Sequence, residues 1–174
     1  MKTKQRNSKF TETPKRKVDL LFKELDSKFL GSKILYSLFL TLAFFGVLGL
    51  IWMIPFPELN FLKAMNAHTF LNWGSFFIAI VIYLYLRLAT TLSYAILLCI
   101  SIQSFFIVQL EYVQKSGGPS VVLVCGLISI LSVGALWILT QKEKSATQQD
   151  FFKLLTIGPI WLWSKIYNKF NIKY

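Results

Sequence analysis

Few side chains in this 174-residue chain are of a type that does chemistry, and those few are badly spaced for it. The sole histidine is His68, which follows Asn66 and precedes Asn72; the two thiols are Cys99 and Cys125. Zinc, iron and copper centres draw on several converging His, Cys or carboxylate ligands. His68 has no second histidine to join it and reads as a plain loop residue. Both cysteines fall inside apolar runs, where they read as small hydrophobes rather than as a disulfide or metal pair. There is no Walker A loop, G-x-S-x-G elbow, C-x-x-C or H-E-x-x-H. Gln103 and Gln109 are the strongest polar groups within an apolar run, and their expected part is helix–helix hydrogen bonding. No ionisable side chain falls well inside such a run, so a pump or ion carrier has little support.

The elements that must position these residues are set by composition. The chain is 55% hydrophobic and 16% charged, against about 45–50% and about 25% in soluble domains. The excess is gathered into long runs with almost no charge, which marks an integral membrane protein of one domain. The expected fold is all-α: a polytopic bundle of four transmembrane helices, with an amphipathic N-terminal helix and a C-terminal re-entrant or interfacial helix.

Residues 1–17 are polar and basic and read as a disordered cytoplasmic tail; residues 18–174 form the membrane domain. Val18–Leu30 places Val18, Leu21, Phe22 and Phe29 on one side of a short helix, suited to a membrane surface or to a packed cytosolic helix. The spans are expected at residues 34–54, 70–86, 91–110 and 121–140. "PFPE" closes the first, because proline lacks an N–H and disfavours helix in the residue before it. Arg87 closes the second, and Gly117-Gly118-Pro119 punctuates the turn before the fourth. Gly126, Ser129, Ser132 and Gly134 supply small residues for close helix packing. The first apolar run begins late and lacks a small-x-small cleavage site, so no cleavable leader is expected.

Charge sets the orientation. Residues 1–33 hold ten of the nineteen Lys and Arg. A nucleic-acid arm would also be basic. Ahead of a span, however, the reading is a cytoplasmic flank that touches anionic headgroups, with no nucleic acid as partner. Four spans put seventeen of the nineteen cations on the side of both termini, leaving Lys63 and Lys115 opposite. A fifth span at Leu154–Trp163 would make the division fourteen to five. That stretch, "LLTIGPIWLW", would rise about 16 Å as a helix, whereas a hydrocarbon core is about 30 Å thick. It is therefore expected within residues 151–170 as a re-entrant or interfacial segment, with Trp161, Trp163 and Tyr167 at headgroup depth. Lys165, Lys169 and Lys173 would face water or phosphate. Arg87 is a further candidate for contact with a lipid phosphate.

Three phrases carry a likeness: "GLIWMIPFP" (Gly49–Pro57), "NWGSFFIAIVIYLYLRLATTLSYAILL" (Asn72–Leu98) and "LLTIGPIWLWSKIYNKFNIKY" (Leu154–Tyr174). In order and spacing the chain resembles, from about Val18 to Tyr174, the 2-hydroxy fatty acid dioxygenase family, small multispan membrane proteins of the Mpo type. The resemblance implies a bacterial inner membrane or endoplasmic reticulum setting, a fatty-acid-like ligand, and chemistry with Fe2+ and oxygen on cytosol-facing histidines. Those histidines are missing here. Lys28 and Tyr36 stand where the resemblance implies the entry pair, and Lys142 stands near the position after the fourth span. Tyr36, Glu143, Asp150 and Asp26 could only form an oxygen-rich site that holds Fe2+ weakly. The expectation is a scaffold without its iron site and with no bound cofactor. Its role would be non-catalytic, binding a lipid or a protein of unspecified kind. An active dioxygenase with a non-standard ligand set and an unrelated four-span structural protein are the alternatives.

Overall fold

The computed structural model describes residues 16–57, 72–144 and 146–172. The expected disordered tail up to Lys15, His68 with Lys63 and most of their loop, the start of the expected second span at Phe70, and Lys173 lie outside the described residues. Six α-helices make up the described fold: α1 Lys17–Lys28, α2 Lys33–Trp52, α3 Trp73–Leu88, α4 Thr90–Lys115, α5 Val121–Lys142 and α6 Gln148–Lys169.

Local chemistry explains the boundaries. In α1, Val18, Phe22 and Leu25 recur at helical spacing and are the buried positions, so this helix packs through one stripe. Asn72 caps α3 by accepting from the Ser75 N–H at 2.8 Å, and Ser120 caps α5 by accepting from Leu123 N–H at 3.3 Å. A single residue, Ala89, separates α3 from α4; its extended backbone (φ −158°, ψ 100°) turns the chain. Gly117, at φ 93°, occupies the left-handed region in the turn before α5. α4 has 26 residues and overruns its expected end at Leu110 by more than a turn, because nothing before Ser116 breaks the helix.

Three helices, α2, α4 and α5, are long and apolar enough to cross a membrane. Only 33%, 39% and 28% of their apolar windows are buried inside the protein. The remaining apolar surface faces outward, as expected where lipid is the solvent. Of the four spans expected at residues 34–54, 70–86, 91–110 and 121–140, three are helices of that length and the second corresponds to α3, a shorter apolar helix of 16 residues, about 24 Å of rise.

The widest helix contact joins α2 to α5. It is built on glycine, but not on the glycines that the α5 sequence offers. A Cβ on Gly46 of α2 would lie 2.7 Å from the Cys125 carbonyl oxygen and 2.8 Å from Ser129 N. The backbones meet there, against Cys125, Ser129 and Ser132, all buried in α5. Gly134, expected at a packing face, has open space around it.

The C-terminal segment, expected within residues 151–170 as a re-entrant or interfacial helix, is one continuous helix, Gln148–Lys169, with Pro159 inside it. Along its length it meets α5, α2 and α4 in turn. Phe151 meets Trp137 of α5 with ring centroids 5.1 Å apart, Pro159 shares a cavity wall with Leu40 of α2, and Trp163 shares one with Cys99 of α4. Length misleads here because Lys153 and Lys165 look like the ends of the apolar stretch, whereas both face α1 and pair with its Glu24 and Asp26.

Candidate functional site

Two features stand out at the end of the bundle where α1 and α6 meet: a polar network and a pair of cavities beneath it.

The network begins with Asp150 in the first turn of α6. Its carboxylate accepts from the Thr147 N–H at 2.8 Å, closing the helix start in the manner of a capping box. It also accepts from Lys28 Nζ at 2.6 Å, although Asp150 is only 1% exposed. Burial works against its ionisation. The hydrogen bonds from Lys28 and Thr147 outweigh that cost and hold its pKa at about 2. Glu24 of α1 accepts from Lys153 at 2.5 Å and from Lys28 at 3.1 Å. Its pKa is lowered, first by Lys153 and then by Lys28. Lys28 in turn is raised, first by Asp150 and then by Glu24. Two residues after Glu24, Asp26 accepts from Trp161 Nε1 at 3.1 Å and pairs with Lys165. Lys33 donates to the Phe29 carbonyl, and its ammonium lies 4.8 Å from the Trp161 ring centre.

At the edge of this network Tyr36 donates from its hydroxyl to Glu143 Oε1 at 2.9 Å, and the Gly31 N–H donates to the same oxygen at 2.7 Å. These bonds tie the start of α2 to the end of α5.

The oxygen ligands weighed from sequence therefore do not form one site. Glu143 goes to Tyr36 and Gly31, Asp150 to Lys28, and Asp26 to Trp161 and Lys165. Among the described residues no three His, Cys, Asp or Glu side chains gather around a point that could hold a metal. The iron implied by the family likeness does not fit these residues. An ammonium locked in an ion pair at Lys28 has no lone pair to give, and Tyr36 spends its hydroxyl proton on Glu143. Lys142 is exposed at the last residue of α5.

Beneath the network lie two adjoining chambers. The larger, about 490 Å³, is walled by α2, α3, α5 and α6, with Ala43, Val47, Phe77, Val81 and Val133 among its apolar lining. This volume falls in the range of small-molecule sites, about 300–1,000 Å³. The smaller, about 120 Å³, lies toward α4 and carries Ser37, Thr41, Cys99 and Gln103 on its wall. Gln103 is buried and donates to the Thr41 carbonyl at 3.1 Å, which is the helix–helix bond expected of it. Tyr85 of α3 stands at both chambers and donates to the Thr156 carbonyl at 2.7 Å. That bond sits in the turn where Pro159 withholds the N–H that Leu155 would otherwise receive.

The residues expected at the lipid interface divide accordingly. Trp161 is corrected outright: it is 0% exposed, held between Phe29 and Asp26, because its indole N–H finds a carboxylate within the protein. Lys165 is half-buried and pairs with Asp26 instead of meeting phosphate. Trp163 is half-buried on the wall of the small chamber, with Tyr167 6.4 Å away, centre to centre. Arg87 is exposed, its guanidinium 5.6 Å from the Tyr83 ring centre, and is free to meet a headgroup. Sequence reasoning passed over Tyr85 and the Glu24–Lys153 pair. The one available signal for Tyr85 was a hydroxyl-bearing residue a turn inside an apolar helix.

Comparison of the chain with protein-family models, curated proteins and solved structures finds no match.

Proposed function

We propose that this chain is a non-catalytic membrane protein that holds the acyl chain of a lipid in the large chamber. In this reading it has four spans, α2 to α5, and both termini on the cytoplasmic side. α6 lies across the bundle near the interface, and the scaffold is that of the 2-hydroxy fatty acid dioxygenases. The observation that carries the reading is the 490 Å³ apolar chamber between α2, α3 and α6. The chamber is partly open, with the exposed Val47 and Leu84 in its wall, so a hydrocarbon chain can enter it and cover its apolar lining. Its wall has few polar groups to orient chemistry, and it suits a hydrocarbon chain. The non-catalytic part rests on how the histidine positions are used. Lys28 and Tyr36 serve as structural bonds between α1 and α6 and between α2 and α5.

The test is purification in mild detergent, followed by lipid extraction with mass spectrometry and by metal analysis. An acyl lipid is expected to stay with the protein at close to one per chain. It should be lost when Val47→Trp fills the chamber. A wild-type protein that retains no lipid would sink the binding role, and stoichiometric iron would sink the non-catalytic reading.

A further inference from the structure

The two chambers share four wall residues: Leu40, Phe44, Tyr85 and Pro159. Leu40 and Phe44 belong to the packed face of α2, and Pro159 to the body of α6. Tyr85 is different in kind. Its side chain reaches from α3 to α6, where its hydroxyl is fixed on the Thr156 carbonyl. It is 8% exposed and has a void on either side. A close-packed interior would normally collapse around such a ring; here the bond to Thr156 holds it as a strut.

On the lipid reading proposed above, we infer that the two chambers are two lengths of one acyl-chain channel, and that Tyr85 is the partition that limits chain length. The ligand is a single-chain amphiphile whose chain fills the large chamber and ends against the Tyr85 ring. Selection is by length because the large chamber has almost nothing polar to recognise. Its two polar lining residues, Tyr85 and Thr156, already bond to the protein: Tyr85 to the Thr156 carbonyl, and the Thr156 hydroxyl to Phe152 O at 2.9 Å. The small chamber adjoins the large one at Tyr85. Opening the partition therefore adds room for more chain without a new entrance.

The experiment titrates purified protein with saturated monoacylglycerols, from lauroyl to arachidoyl, by native mass spectrometry. In the wild type, affinity should rise with length, about fourfold per methylene, and then stop rising. Tyr85→Ala should carry that rise on to longer chains. Tyr85→Phe, which keeps the ring, should leave the limit where it was. Adding Cys99→Phe to Tyr85→Ala refills the small chamber and should restore the limit. Saturable binding with the same limit in wild type and Tyr85→Ala overturns the partition while leaving the lipid site standing. No saturable binding in any form, wild type included, overturns both. A monoacylglycerol with a diazirine at the chain end reads the same boundary in unmodified protein. Adducts are expected on Val47, Val81 or Val133, and adducts on Cys99 or Ile100 would overturn the partition whether or not the alanine variant folds.

Discussion

Lys28 Nζ lies 2.6 Å from Asp150 Oδ1, an ion pair between residues 122 apart in sequence that fastens α1 to the first turn of α6. Asp150 also closes the helix start through Thr147, so one carboxylate serves two structural purposes. Asp150→Ala should lower stability by about 1 kcal/mol from the cap alone, with the loss of Lys28's partner added. Asp150→Asn should cost less, since the amide oxygen can still accept from Thr147. Thermal unfolding of the detergent-solubilised protein, comparing the two variants, checks both the sign and the order.

The same carboxylate predicts an acid limb. Its pKa in the folded protein is about 2, below its ordinary 3.8. The unfolded chain therefore takes up the proton first. Asp150 stabilises the fold fully above about pH 4, and its contribution drains away as the pH falls toward 2. Glu24, also lowered, acts in the same direction. Lys28, raised, supplies an opposite limb that is lost only as the pH rises beyond the ordinary lysine range. Peptides from α1 and the first turns of α6 should lose protection against hydrogen exchange, measured against their intrinsic exchange rates, between pH 4 and 2. The middle of the α2–α5 seam, where Gly46 meets Cys125 and Ser129 without a carboxylate, should not follow.

At that seam, Gly46→Val should push α2 and α5 apart, because the added carbons would meet Cys125 O and Ser129 N. Overpacking of this kind costs about 1–3 kcal/mol. Gly134→Val, in open space, should cost far less. A melting comparison of the two variants separates contact from mere glycine replacement.

Trp161→Ala removes a fully buried ring and should cost about 3–5 kcal/mol. Trp161→Phe keeps much of the packing but strands Asp26 with Lys165 alone. It should cost less, since an aromatic ring still fills the site. Lipid-soluble quenchers should accordingly spare Trp161 and reach Trp73, which is exposed. Quenching of Trp161 at the efficiency of Trp73 would contradict its burial.

Orientation has its own measurement. A cysteine at Lys115, at the last residue of α4, should react with an impermeant reagent from one side of the membrane. A cysteine at Lys144, after α5, should react from the other side. Equal labelling of both from one side would break the alternation of spans.

Much of this was legible in the sequence because helix boundaries are local chemistry. Pro55 and Pro57, Asn72, Ser120 and Gly117 mark their positions without reference to anything distant. The course of α6 was half legible: its apolar residues and flanking lysines were plain, but its true length was hidden. Lys153 and Lys165 look like the ends of an apolar stretch when they are positions inside the helix, paired with Glu24 and Asp26 of α1. Trp161 was misread for a related reason. An aromatic flanked by lysine has the composition of an interface anchor, and only its contact with Asp26, 135 residues away, makes it core. Tyr85 was invisible because its importance lies in two spaces, and a void has no letter in a sequence. The glycine seam was misassigned between partners for the same reason: α5 offers two glycines, yet the close approach depends on what α2 presents opposite them.

The packing of α6 has a consequence for the order of synthesis. α6 is translated after every helix it braces, so α2 to α5 are complete while the faces of Leu40, Tyr85 and Trp137 are still uncovered. Segments left exposed in this way are where assembly intermediates accumulate and where quality-control proteases act. A chain halted just before Gln148 should persist as an inserted but short-lived species, and α6 supplied afterwards as a separate segment should lengthen its lifetime.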